Sequence, residues 1–345
     1  MSLGERARQT TAWLAVCAFS TSLALLEAHR LRWLSRFRRR AQVPSAPIGS
    51  ADGAARPLSS ATASVPERAI SGGARSVPIV FIHQGDSPHL VYALAQASAS
   101  NPSSRVILLG DDANNRYPLV EHHRFADYFV AAAAFGGVYQ HYSTHPESFE
   151  LICFQRWFVL NEFMTKQRIE HCVYLDSDVL LYADVTSDLK KFRLFDFTLC
   201  WNTIGCVCFV NRRQGLEQLC RFMTDAYTKK DSYTYDRMVA HFATRLKHDL
   251  KGGVCDMTAL QLYSERHFGS VGEASHIIDG SVYDPNINVP QPGFEMENDV
   301  KKVTWHDGVP YGTFVSTGER IRFNSLHFNG RAKALMPRYC TAHVS

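Results

Sequence analysis

The chain has 345 residues, of which 46% are hydrophobic and 12% aromatic, a composition typical of a folded protein with a sizeable core rather than a disordered one. Its formal charge of +4 is unevenly distributed, since residues 1–75 hold eleven arginines, no lysine and four acids, whereas the remainder holds 26 basic and 29 acidic residues. A near-neutral main body lacks the basic surface on which nucleic-acid binding depends, so no nucleic-acid partner is expected.

The first part of the chain divides by composition. A short tail (1–8) precedes a largely uncharged segment (9–28), which contains the apolar run AWLAVCAFSTSLALL. Because this run of fifteen residues is short for a bilayer span of about 20, a membrane anchor competes with a signal-peptide core and with an Arg-rich transit peptide. We adopt the anchor, which predicts a single-pass type II protein in the lumen of the Golgi or another endomembrane compartment.

The charges around this segment argue against that orientation. Two arginines precede it and six follow between positions 30 and 40, and the positive-inside rule would keep the larger cluster in the cytoplasm. Residues 29–75 are first basic and then rich in Pro, Ala, Ser and Gly, which predicts a flexible stem. Residues 76–345 are therefore predicted to form the catalytic domain.

The domain begins at about Val77 with an alternation of strand and helix patterns. VPIVFIH and SRVILLGDD each predict a buried strand that ends in a polar loop, and LVYALAQASA between them predicts a helix. DYFVAAAAF predicts a third strand or a short helix, and LICFQRWFVLNEFM (151–164) predicts an apolar helix. VYLDSDVLLY, FTLCW and CVCFV indicate further strands, followed by a helix at about 214–228 and a more irregular region. This order predicts an α/β fold with a mixed, mostly parallel sheet flanked by helices.

VYLDSDVLLY places two carboxylates, Asp176 and Asp178, inside an otherwise apolar run. Open α/β sheets bind ligands at the carboxyl ends of their strands, where both aspartates would emerge on the same side because strand alternation has period two. A solvated Asp-Ser-Asp turn is the alternative, but such a turn is not normally followed at once by Val-Leu-Leu-Tyr. Two adjacent anions favour a hard divalent cation, Mn²⁺ or Mg²⁺, that also binds phosphate oxygens.

Near the C-terminus, LHFNGRAKALM (326–336) contains His327, Gly330 and Lys333 with the spacing H-x-x-G-x-x-K. An imidazole can bind a metal ion, a glycine lets the backbone approach a phosphate, and a lysine can neutralise one. The three chemistries together predict a phosphate and metal site. The other fourteen histidines are interpreted as surface or hydrogen-bonded residues.

These two motifs resemble those of the GT-A fold, the Rossmann-like fold of nucleotide-diphospho-sugar transferases. The H-x-x-G-x-x-K motif is similar to that of the retaining glycosyltransferases that include glycogenin and the bacterial lipopolysaccharide galactosyltransferases. The resemblance implies that Asp176, Asp178 and His327 bind Mn²⁺ or Mg²⁺. It also implies that Ser177, Gly330 and Lys333 contact a nucleoside diphosphate sugar.

Three further residues match this family more loosely. Arg156 lies on the apolar face of the 151–164 helix, where a charge is costly unless it is paired. It is therefore expected to bridge to an internal carboxylate or, as the resemblance to the family implies, to touch the donor and the acidic cluster. Asp256 matches the acid of an Asp-Gln pair near the donor sugar, although Met257 stands where the family has Gln. Asp86, after the first strand, matches a base-contacting aspartate. The stretch Asn202-Thr203-Ile204-Gly205 departs from the family spacing by one residue.

The resemblance implies a glycosyltransferase of the hexosyltransferase type (EC 2.4) that moves a sugar, with retention, from a UDP-sugar to a hydroxyl of a glycan, glycoprotein or glycolipid. Asp256 would be the general base if transfer inverts the sugar, or would position the donor if transfer retains it. A metal-dependent nucleotidyltransferase is one alternative, although HQGDSP after the first strand has no basic residue. A catalytically inactive nucleotide-sugar or carbohydrate-binding membrane protein is another. Residues 281–317, with Trp305 and Tyr311, are a candidate acceptor wall.

Overall fold

The structure is a computed structural model that describes residues 76–230 and 232–344. The predicted tail (1–8), membrane segment (9–28) and stem (29–75) all lie outside the described residues. The predicted catalytic domain (76–345) falls almost entirely within them.

The first half of the domain alternates strands and helices, as the sequence predicts. Its elements are β1 (Ile79–Ile82), α1 (Leu90–Ser100), β2 (Val106–Gly110), β3 (Glu121–Arg124), α2 (Val130–Gly136), α3 (Glu147–Lys166), β4 (Cys172–Leu175), β5 (Val179–Leu181), α4 (Val185–Phe192), β6 (Phe197–Leu199) and β7 (Val207–Val210). The run DYFVAAAAF, left open between strand and helix, forms a 3₁₀ turn at Phe125–Tyr128 and then α2.

The second half contains three longer helices and then short strands. Its elements are α5 (Arg213–Thr228), α6 (Tyr233–Lys247), α7 (Asp256–Arg266), β8 (Val271–Glu273), β9 (Ser281–Tyr283), β10 (Met296–Glu297), β11 (Val300–Lys301), β12 (Thr304–His306), β13 (Val309–Thr313), β14 (Arg320–His327) and α8 (Met336–Tyr339). The region predicted to be irregular is therefore largely regular. A final 3₁₀ turn, Gly330–Leu335, connects β14 to α8.

The main sheet has seven strands in the order β3-β2-β1-β4-β7-β6-β8. The pairs β2–β3, β1–β2, β1–β4 and β6–β8 are parallel, and β7 runs antiparallel to its neighbours β4 and β6. Both faces of its central strands are covered: Cys172 and Tyr174 of β4 pack in a core with α3 and α5, and Val173 and Leu175 pack in a second core with α1. The predicted fold class is confirmed.

A second, smaller sheet has the order β12-β13-β14-β5, with β9 parallel to β14. The chain crosses from the main sheet to this one over three residues, Asp176-Ser177-Asp178, which separate β4 from β5. In the second sheet β5 pairs antiparallel with β14, so that Val179 lies opposite His327. The two sequence motifs are thereby brought together.

The predicted location as a single-pass membrane protein is corrected by the structure. Among residues 76–230 and 232–344, no helix is both long enough and apolar enough to span a bilayer. The 20-residue helix α3 is long, but it contains charged residues such as Glu150, Arg156 and Glu162 along its length.

Candidate active site

Three groups that can bind a metal ion converge at the carboxyl end of β4. One ligand atom each from Asp176, Asp178 and His327 lies within 4.8 Å of the others. Asp176 directly follows β4, Asp178 directly precedes β5, and His327 is the last residue of β14. The pairing of β5 with β14 therefore closes a separation of about 150 residues along the chain.

His327 is oriented by a contact on each of its ring nitrogens. Its Nδ1 lies 2.6 Å from the carbonyl oxygen of Pro285, and its Nε2 lies 3.2 Å from Oδ1 of Asp178. A carbonyl oxygen can only accept a hydrogen bond, so Nδ1 carries a proton and donates. Nε2 is thus directed towards the two aspartates, as expected for a metal-binding histidine whose other nitrogen is held by a second residue.

The charges around His327 indicate a site with excess negative charge. Burial disfavours the imidazolium, but Cys206 and Asp178 outweigh burial and raise the pKa of His327 well above its ordinary 6.5. Burial likewise disfavours ionised Asp178, yet His327 and Lys333 hold the pKa of that carboxyl below its usual range. The proton on Nε2 therefore occupies the position in which a cation would be favoured. Two carboxylate oxygens and one imidazole nitrogen fit a divalent cation such as Mn²⁺.

The 3₁₀ turn after β14 brings Lys333 and Gly330 to the same place. Nζ of Lys333 lies 3.1 Å from Oδ2 of Asp178, and its side chain is 40% exposed. Gly330 has a φ of +59°, which favours glycine, and a Cβ added there would meet no atom within 4 Å. A phosphate could approach the backbone at Gly330 while contacting Lys333.

Arg156 of α3 bridges the buried Asp256 and the partly buried Asp176. Its Nη1 donates to Asp176 and to the hydroxyl of Tyr174, 3.1 Å away, and its Nη2 donates to Oδ2 of Asp256 at 2.7 Å. The guanidinium also lies over the rings of Trp157 and Tyr174, at 5.2 and 5.6 Å. Burial raises the pKa of Asp176 although Arg156 opposes that shift. Arg156 thus pairs with two carboxylates, one of which belongs to the acidic cluster, and its contact with a donor stays a prediction.

Asp256 is the first residue of α7 and is only 3% exposed. Its Oδ2 accepts from Arg156 and also from Nε1 of Trp157 at 3.0 Å. Met257 beside it is 38% exposed, and its carbonyl oxygen accepts from the hydroxyl of Thr203. Thr203, in the stretch that differs from the family in spacing, therefore contacts Met257, which stands where the family has Gln.

Ser177, between the two aspartates, contacts a histidine to which the sequence analysis assigned no role. Nδ1 of His83 lies 2.9 Å from the Ser177 hydroxyl, and Nε2 lies 3.0 Å from that of Ser87. Burial, and then the charge of Lys333, lower the pKa of His83, which keeps the ring neutral near pH 7. The sequence alone provides no signal for His83, because only the parallel pairing of β1 with β4 shows that it emerges at the same edge as Ser177.

Asp86 and the two aromatic residues of the candidate acceptor wall lie outside the acidic cluster. The Asp86 carboxylate accepts from Arg116 at 2.7 Å and from the Tyr117 hydroxyl at 3.3 Å, at an exposed position. Trp305, on the edge strand β12, is 40% exposed and packs edge-on against Tyr182. The roles of Asp86, Trp305 and Tyr311 stay predictions.

No family model matches the chain, and no curated protein matches its sequence. Solved structures similar to it include mouse xyloside xylosyltransferase 1, at 12% identity and a TM-score of 0.40, over 60% of this chain and 87% of that one. Others are the bifunctional glycosyltransferase WbbM (11%, 0.39, over 75% and 47%) and the glycosyltransferase GlyE of Streptococcus pneumoniae TIGR4 (13%, 0.32, over 57% and 45%). This chain thus spans less than half the length of the latter two. All three structures are described as glycosyltransferases.

Proposed function

We propose that this chain is a metal-dependent GT-A glycosyltransferase that transfers a sugar from a UDP-sugar to an acceptor hydroxyl. One observation carries the proposal: Asp176, Asp178 and His327 present ligand atoms within 4.8 Å of one another, with the ammonium of Lys333 beside Asp178. A nucleoside diphosphate needs a divalent cation and a positively charged side chain at one place. The carboxyl end of β4 provides ligands for the cation, and the positively charged side chain of Lys333 lies beside them.

The side chains divide this work among them. A divalent cation held by Asp176, Asp178 and His327 would supply positive charge that stabilises the departing diphosphate. Lys333 neutralises a phosphate oxygen on the exposed side of the site, and Gly330 allows the diphosphate to approach the backbone. The Ser177 hydroxyl, held by His83, is available to a hydroxyl of the donor. Arg156 keeps Asp176 and Asp256 close together by compensating their charges.

We propose transfer with retention of the anomeric configuration, because the H-x-x-G-x-x-K motif is matched in full and Asp256 is poorly placed to act as a base. Oδ2 of Asp256 already accepts from Arg156 and Trp157, and its side chain is almost completely buried. Its position suits electrostatic stabilisation of the donor sugar. The expected product from an α-linked donor is therefore the α-anomer, measured by the proton coupling constant in NMR spectra of the first product formed. A β-linked product would instead favour inversion.

The proposed function is tested by a screen of nucleotide sugars with the full-length chain, in Mn²⁺ and in EDTA. We expect release of UDP from one class of UDP-sugar, faster with an acceptor glycan and absent in EDTA. UDP binding without turnover of any donor would support the inactive binding protein. Release of pyrophosphate from a nucleoside triphosphate and a sugar phosphate would support the nucleotidyltransferase.

The affinity for Mn²⁺ is expected to rise with pH. Because the pKa of His327 is raised well above 6.5, the metal must displace a proton from Nε2 at neutral pH. One proton released per ion increases the affinity about tenfold per pH unit, until the pH exceeds the raised pKa. Electron paramagnetic resonance of free Mn²⁺ at pH 6, 7 and 8 measures this. His327→Asn should bind more weakly and with a shallower pH dependence, whereas an equally flat response of the unmodified chain would contradict the assignment of His327.

A further inference from the structure

A buried ion pair lies next to the proposed metal site and has no role in the chemistry described above. Asp284 and Lys301 are both 0% exposed, and Nζ of Lys301 lies 2.5 Å from Oδ1 of Asp284. The same ammonium donates to the carbonyl oxygen of Asn286 at 2.7 Å. Lys301 therefore holds the residue on each side of Pro285, whose carbonyl accepts from Nδ1 of His327.

The backbone around Pro285 is fixed from two directions. On one side it bonds to β14: the amide of Asp284 donates to the carbonyl of Ser325, and that of Ile287 donates to the carbonyl of His327. On the other side the amide of Lys301 donates to the carbonyl of Ile287 at 2.7 Å. Pro285 has no N–H group, so hydrogen bonds to its neighbours must define where its carbonyl points.

Such a buried pair is expected to contribute little to the net free energy of unfolding. Taking two charges out of water costs several kcal/mol per ion, and well-packed apolar residues in place of a buried pair are often neutral or stabilising. Within the described part of the chain, Oδ2 of Asp284 has no hydrogen-bond partner, so even the carboxylate is not fully satisfied. Lys301 provides what an apolar side chain could not, which is a directional contact to the Asp284 carboxylate and to the Asn286 carbonyl at once.

We propose that Asp284 and Lys301 are positioning residues that aim Nε2 of His327 at the metal ion, by fixing the carbonyl of Pro285. The inference rests on the proposed metal site and extends it to a third layer: the ion pair holds the Pro285 segment, the Pro285 carbonyl holds Nδ1, and the ring presents Nε2 to the cation. Neither residue would bind the metal ion or the donor directly.

The test is the double variant Asp284→Asn with Lys301→Met, which removes both charges and so avoids leaving one buried without a partner. We expect its affinity for Mn²⁺, measured by electron paramagnetic resonance with excess UDP, to fall by up to about 10-fold, the lower end of the loss seen when a group bonded to a metal ligand is removed. Thermal unfolding without metal is followed in parallel. If the double variant does not fold, Asp284→Asn with Lys301→Gln leaves no buried charge and keeps a polar group at each position, and it should show a smaller loss in the same direction.

The matched control is Glu295→Gln with Lys302→Met, the same change of charges at a half-buried pair that includes the next residue along the chain. Its Mn²⁺ affinity should equal that of the unmodified chain. A double variant at Asp284 and Lys301 that unfolds at a lower temperature but keeps full Mn²⁺ affinity would overturn the inference, because it would show a purely structural pair.

The same measurements separate this inference from the proposed function. Loss of Mn²⁺ affinity in the double variant, together with an unmodified chain that turns over no donor, would reject the enzyme and support the positioning role. Normal turnover with unchanged Mn²⁺ affinity in the double variant would reject only the positioning role. An unmodified chain that binds no Mn²⁺ in the presence of UDP would reject both.

Discussion

Asp178→Asn is expected to lower Mn²⁺-dependent donor turnover by about 10³-fold, equivalent to about 4 kcal/mol of transition-state stabilisation. The substitution keeps the shape of the side chain and one oxygen, but it removes the anion that both His327 and Lys333 contact. Initial rates at several Mn²⁺ concentrations measure the effect, and a weakened metal site should also appear as an increased Mn²⁺ requirement.

Asp307→Asn is the matched control for this variant. Asp307 lies in the turn between β12 and β13 with its side chain 90% exposed and a φ of +49°, a conformation that asparagine tolerates well. This variant should retain full turnover. An Asp178→Asn protein with unchanged Mn²⁺-dependent rates would exclude Asp178 as a metal ligand.

Arg156→Met is expected to reduce the free energy of unfolding of the metal-free chain by about 3–5 kcal/mol, the usual cost of leaving buried charges without their partner. Methionine fills much of the same space, so the loss comes mainly from Asp176 and Asp256, which both bond to the guanidinium. Denaturant unfolding measures this free energy. Adding Mn²⁺ should recover part of it, because a cation would then compensate Asp176.

Two further variants sharpen the interpretation of Arg156. Combining Arg156→Met with Asp256→Asn should restore some stability, since one of the two unpaired charges is then removed. Arg221→Met removes an arginine whose pair with Glu217 is exposed, and no measurable loss is expected there. Equal stabilities for Arg156→Met and Arg221→Met would contradict the view that Arg156 stabilises Asp176 and Asp256.

The sequence was informative where a local pattern has a physical cause. A strand covered on both faces must be apolar, so the charges of Asp176 and Asp178 contrast with the apolar run Cys172–Leu175. His327 and Lys333 could be identified because their motif lies within one short stretch of sequence. Arg156 could be identified by the same reasoning, because a charge on the apolar face of a helix requires a partner. Asp176, Asp178 and Arg156 each interrupt a hydrophobic pattern that the surrounding residues maintain.

The parts that were missed depend on contacts between distant segments. The local sequence Asp176-Ser177-Asp178 does not indicate that the chain passes from one sheet to the other there. The carbonyl of Pro285 is a backbone group that any residue could supply, so the sequence does not mark it. Helix α6 was also missed, and Thr234 and Met238 are its buried residues. His83 was set aside because a lone histidine has no pattern of its own until the parallel pairing of β1 with β4 is known.

The pairing of Val179 with His327 has a consequence for how the protein matures. Strands β1, β2 and β4 can associate early, whereas the third metal ligand belongs to a strand synthesised roughly 150 residues after the two aspartates. A folding intermediate with its main sheet formed would still lack a complete site until β14 docks in register. Slipping β14 by two residues would displace His327 by about 7 Å, so a misaligned molecule could be compact and nevertheless inert. Catalytic competence would then be one of the last properties the chain acquires.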